Sequence, residues 1–110
     1  MANYILNNDI TILRLNNWGM DVLYQNLLDT VKQLSLDKNK HLMDFVSHLD
    51  QNTYGSGAIY IDIKDYFGQN HLPKDLLHKI VKNAIIRIKE TGKWDQALIE
   101  PLEKFENSLV

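Results

Sequence analysis

From Ala58 to Lys64 the chain alternates, with Ile59, Ile61 and Ile63 separated by Tyr60, Asp62 and Lys64. A period of two sends successive side chains to opposite faces of a strand. Residues 58–64 therefore read as a β-strand with its isoleucines toward a core and Tyr60, Asp62 and Lys64 on the other face. Asp65-Tyr66-Phe67-Gly68 breaks the alternation, and Gly68-Gln69-Asn70 ends it. A second β signal lies at the start. Tyr4-Ile5-Leu6 is apolar, Ile10 to Leu15 is β-branched and half alternating, and Asn7-Asn8-Asp9 between them is turn chemistry, because Asn and Asp tolerate left-handed backbone. Residues 4–15 read as a hairpin, or as one strand with a frayed start.

The remaining apolar positions recur at three and four, the spacing of one helix face. Met20, Leu23, Tyr24, Leu27, Leu28, Val31 and Leu34 predict a helix over 18–34, capped by Asn16-Asn17. Ser35 and Asp37 are placed to stop it and cap a second helix, about 38–50, outlined by Leu42, Phe45, Val46 and Leu49. Gln51 to Gly57 is a loop by composition. Pro73 opens the strongest stripe, Leu76, Leu77, Ile80, Val81, Ala84, Ile85 and Ile88, which Thr91-Gly92 stops. Trp94, Leu98, Leu102, Phe105 and Leu109 outline a last helix, which Pro101 kinks or restarts. The order β(β)-α-α-β-α-α predicts an α+β fold: a small two-layer sandwich with two or three strands packed against four helices, the sheet covered on one face and partly open on the other.

At 110 residues the chain is expected to be a single domain, 1–110, large enough to fold without a metal or disulfide staple. It has no cysteine, which excludes disulfide scaffolds, zinc–thiolate sites and thiol catalysis and suits a reducing cytoplasm. The start, MANYILNNDITILRL, lacks the basic leader and apolar run of a signal peptide. No apolar run approaches the roughly eighteen residues that a membrane helix needs. The expectation is a cytoplasmic protein with no membrane contact. Charge is uneven: residues 71–93 carry six Lys or Arg against two Asp or Glu, between two acidic flanks.

No set of residues reads as a catalytic site. The nearest glycine-rich string, Tyr54-Gly55-Ser56-Gly57-Ala58, precedes a strand, whereas a phosphate loop follows a strand and opens a helix. Ser56 between two glycines lacks the spacing of a nucleophile elbow. His41 and His48, with Asp44 between them, share one side of the second predicted helix, but a rise of about 10 Å is too long for one metal ion. His71 and His78 have the same seven-residue gap. Asp62 and Asp65, near Tyr60 and Tyr66, could serve as acid and base, but no arginine lies nearby in sequence. The expectation is therefore a protein that is not an enzyme, with no cofactor and no metal.

Tyrosine beside aspartate at an open sheet face suits recognition: the ring gives rigid contact area and the carboxylate complements a basic partner. Tyr60 and Asp62, enlarged by Tyr54, Asp65, Tyr66 and Phe67, make the candidate patch, with Glu100, Glu103 and Glu106 of the last helix adding electrostatic steering. A small, cysteine-free, mildly acidic single domain without a catalytic set resembles the immunity proteins of bacterial polymorphic toxin systems, such as contact-dependent growth inhibition. The resemblance spans the whole chain in size and character and rests on no motif. It implies binding to one cognate toxin domain, a nuclease in many such systems, and occlusion of its active site or substrate surface. The basic stretch departs from that pattern. Lys74, Lys79, Lys82, Arg87, Lys89 and Lys93 supply the alternative, a nucleic-acid-binding regulator using the helix at 74–93, and the open sheet face supplies another, a homodimer contact.

Overall fold

A computed structural model describes residues 2–54, 58–68, 71–91 and 97–110, without the side chains of Thr53 and Tyr54. Its fold is α+β, with strands β1 (Asn3–Asn7) and β2 (Ile10–Leu15), helices α1 (Asn17–Gln33) and α2 (Lys40–Ser47), a 3₁₀ turn (Gln51–Tyr54), strand β3 (Tyr60–Asp62), a one-turn helix α3 (Lys64–Gly68), and helices α4 (Lys74–Thr91) and α5 (Ile99–Ser108). The sheet order is β2-β1-β3, with β1 antiparallel to β2 and parallel to β3.

The hairpin forms because Asn8 and Asp9 take positive φ, 54° and 67°. Two successive left-handed residues in a two-residue loop twist the chain in the sense that antiparallel strands require. Ile5 opposes Leu13 and Leu6 opposes Thr11, so Ile12 is the extra residue of a bulge. Ile5 and Leu6, facing opposite sides of β1, are both buried. On the core side Ile5, Leu13, Ile59, Ile61 and Ile63 meet the apolar stripes of the helices, including Leu23, Leu27 and Val31 of α1 and Leu77, Ile80, Val81 and Ala84 of α4.

Polar termini explain where the helices begin and end. Asn16 Oδ1 accepts from Gly19 N–H at 2.7 Å and opens α1. Ser35, at φ 59°, ends it: its N–H donates to Lys32 O and Leu36 N–H to Val31 O, which satisfies the last carbonyls. Asn39, not Asp37, caps α2, its Oδ1 accepting from Leu42 N–H at 3.0 Å. The Pro73 carbonyl accepts from Leu77 N–H as α4 starts. Pro101 falls in the first turn of α5, where a missing N–H costs nothing, so the proline restarts the chain as helix and does not kink it. Gly92 and Trp94 lie outside the described residues. The third strand is shorter than the alternation predicts: after Asp62 the chain turns into α3, because Ile63, Tyr66 and Phe67 already have helical spacing and bury together against the core.

Asn3 is fully buried at the start of β1. Its Nδ2 donates to Leu15 O at 3.2 Å and to Asn17 Oδ1 at 3.0 Å, and its Oδ1 accepts from Ile59 N–H at 2.9 Å. One amide thus joins the end of β2, the start of α1 and the approach to β3. On the far side Arg87 of α4 donates through Nη1 to Thr30 Oγ1 at 3.0 Å and Asn26 O at 3.4 Å, tying α4 to α1. Replacing Asn3 with alanine orphans the buried Ile59 N–H and is expected to cost about 2–3 kcal/mol. Urea denaturation measures this, and a loss below about 0.5 kcal/mol, the range of a neutral surface change, would show that the amide does not organise the sheet.

Candidate functional site

The sheet presents its second face through three side chains in a row. β1 is central, with Tyr4 opposite Arg14 of β2 on one side and Tyr60 of β3 on the other. Alternation puts all three opposite the buried Ile5, Leu13 and Ile61. The Tyr4 and Tyr60 rings lie 5.9 Å apart, tilted by 56°. The Arg14 guanidinium stands 6.0 Å from the Tyr4 ring centroid and donates through Nε to Tyr4 Oη at 3.2 Å. Tyr60 is 70% exposed, a large aromatic surface left in water.

The neighbouring residues of the predicted patch are used differently. Asp62 is a structural anchor: Oδ1 accepts from Asn8 N–H at 2.9 Å and Lys64 N–H at 3.1 Å, and Oδ2 from Asp9 N–H at 2.8 Å. Burial pushes its pKa up, but these backbone bonds and the Lys64 charge outweigh that and hold it below the ordinary aspartate range. Tyr66 does not join the surface. It is 7% exposed, packs edge-on against Phe45 with centroids 5.2 Å apart, and shares a hydrogen bond with His48. Phe67 is half-buried against the same core. Their turn onto α3 reverses the expected direction, so they seal the core under the sheet. Asp65 is exposed in the first turn of α3. The Tyr54 side chain lies outside the described residues, as do Gly55, Ser56 and Gly57.

On α5, Glu100 and Glu103 are exposed, whereas Glu106 is half-buried with an oxygen 3.6 Å from His78 Nε2 and helps bind α5 to α4. Among the described residues, shallow grooves beside β2 include one of about 380 Å³ lined by Ala2, Arg14, Leu15 and Asn16, and one of about 250 Å³ lined by Ile12, Leu13, Arg14, Ala97, Glu100, Pro101 and Lys104. Arg14 borders both.

The histidines separate. His41 meets His71 edge-to-face at 6.3 Å, both exposed, while His48 faces Tyr66 and His78 faces Glu106. Among the described residues no group of three or more histidines and carboxylates could hold a metal ion, and no helix is long and apolar enough to cross a membrane. Of the basic stretch, Lys74, Lys79, Lys82 and Lys89 are exposed, Arg87 is engaged with α1, and Lys93 lies outside the described residues.

Neither Tyr4 nor Arg14 was legible as a site residue, because their proximity to Tyr60 depends on long-range strand pairing. The signal available was the alternation of Tyr4 and Arg14 with the buried Ile5 and Leu13. In comparisons with protein-family models, curated proteins and solved structures, none matches the chain.

The Asp62 carboxylate gives a pH-dependent prediction. A folded-state pKa below the unfolded one adds stability that is present above the unfolded value and is lost as pH falls through the folded value. Asp62→Ala is expected to cost about 1–2 kcal/mol at neutral pH, the scale of lost charge-assisted bonds at a solvated turn. The difference from the parent protein should shrink as pH falls below the ordinary aspartate range. Urea titrations of both proteins across that range check this, and a difference independent of pH would assign the loss to packing.

Proposed function

We propose that the chain is a binding protein of the immunity type, which neutralises a cognate protein toxin by covering its active site or substrate surface, without turnover. The observation that carries the reading is Tyr60: exposed, held on a hydrogen-bonded strand, and beside Tyr4, which Arg14 holds in turn. A large aromatic in a fixed place loses little conformational freedom when a partner buries it, and tyrosine and arginine are the residues that most often dominate interface energies. Size, the absence of cysteine and the structural use of Asp62, Tyr66, His48 and Glu106 support a contact role over a chemical one. The reading places the protein in the cytoplasm with the toxin it blocks.

The alternative nucleic-acid surface on α4 is weakened by the engagement of Arg87 with α1. Phosphate binding by the remaining lysines would fade steeply with salt.

Affinity capture from the native organism, with the tagged protein as bait, tests the proposal. The expected result is one stoichiometric protein partner that survives high salt and is lost from Tyr60→Ala, with growth arrested by the partner alone and restored by co-expression. Recovery of nucleic acid only, released as salt rises, would contradict it.

A further inference from the structure

Resting on that binding reading, we infer that the partner meets the sheet face with a carboxylate, seated on the outer edge of the Arg14 guanidinium between the rings and the two β2 grooves. The expectation of a basic partner rested at this face on Asp62, with Asp65 and the α5 glutamates beyond it, and both Asp62 oxygens accept from the Asn8, Asp9 and Lys64 amides. Asp9 lies 3.8 Å from Lys64 Nζ, and Lys64 also reaches Asn8 Oδ1 at 3.4 Å, so these opposite charges offset each other at the hairpin end. On the strand face itself Arg14 is what remains, and in the groove toward α5 Glu100 and Lys104 carry opposite charges. Its Nε is committed to Tyr4 Oη, which fixes the plane of the group, and among the described residues neither Nη bonds an acceptor. An arginine held by Nε offers Nη1 and Nη2 as a fork, the geometry that pairs with both oxygens of one carboxylate. The grooves bordering Arg14 give the flanking partner side chains somewhere to lie. A nucleic-acid phosphate could use the same fork and stack its bases on the tyrosines. A strand needs several cations along its backbone, whereas Lys64 is paired with Asp9 and Lys104 shares its groove with Glu100. A protein carboxylate is the better fit.

The test is selection from a random peptide library displayed on phage, against the full chain and against Arg14→Ala, Arg14→Lys and Arg14→Glu, each first shown by circular dichroism to be folded. The parent protein should enrich peptides with a recurrent Asp or Glu. Synthetic copies should bind Arg14→Ala about tenfold to a hundredfold more weakly, and Arg14→Lys should fall between because it keeps the charge and loses the fork. Arg14→Glu should enrich Lys or Arg at the same place. Neutral or basic consensus peptides, no enriched peptide, or acidic peptides that bind Arg14→Glu equally well would overturn the inference. So would Arg14-dependent binding of a dT12 oligonucleotide without acidic peptides, or self-association lost from Tyr60→Ala. If native capture yields a partner held through Tyr60 but the selection gives no acidic consensus, the sign of the contact is wrong and the binding reading stands. If acidic peptides depend on Arg14 but capture yields no protein partner, the inference stands and the immunity reading fails.

Discussion

The parallel pairing of β3 with β1 is the constraint on which the exposed face depends. A strand of three residues has little hold on a sheet by itself. This one is pinned at both ends by hydrogen bonds to distant parts of the chain. Upstream, Asn3 Oδ1 takes the Ile59 N–H, and Tyr4 N–H donates to Ile59 O at 2.8 Å. Downstream, Ile63 N–H donates to Leu6 O at 2.8 Å, while Asp62 clasps the amides of the hairpin turn. Tyr60 sits between these clamps. Its position beside Tyr4, on which the proposed recognition rests, follows from backbone bonds that involve neither ring.

Polar groups in this protein are divided between those spent on the fold and those left over. Asn3, Asp62, Arg87, His48 and Glu106 carry polarity or charge, and each is committed to another element. What is left on the sheet is an aromatic pair and one oriented guanidinium. That remainder inverts the electrostatic character that composition suggests. A chain of net charge −2 presents a positive group beside Tyr60, the most exposed aromatic among the described residues. Overall charge governs long-range steering, whereas the contact is decided by the few groups whose hydrogen-bonding capacity the fold has not used.

The helices were legible because burial imposes a period that survives in one dimension. Leu77, Ile80, Val81, Ala84, Ile85 and Ile88 form one buried stripe of α4, and Asn8-Asp9 marked the hairpin turn through intrinsic backbone preference. The burial of Ile59, Ile61 and Ile63 followed from alternation in the same way. What could not be read locally was the use of single polar residues across the fold. Asn3 and Ile59 are far apart in sequence, as are Asp62 and Asn8, and nothing near Asp62 shows that its acceptors are taken. Tyr66 and Phe67 were misdirected for a related reason: a single helical turn supplies too few residues for its period to show, so their burial against Phe45 emerged only with the fold. Of the candidate site, Tyr60 was placed by pattern alone, and its companions Tyr4 and Arg14 needed the pairing of three strands.

The proposed recognition lies at the sheet face defined by Arg14, Tyr4 and Tyr60. Hydrogen exchange of backbone amides, measured for the protein alone and saturated with its captured partner, locates the contact without altering any residue. New protection confined to β2, β3 and the hairpin turn, with α4 unchanged, is the expected result. Protection centred on the exposed lysines of α4, with the sheet exchanging as in the free protein, would contradict it.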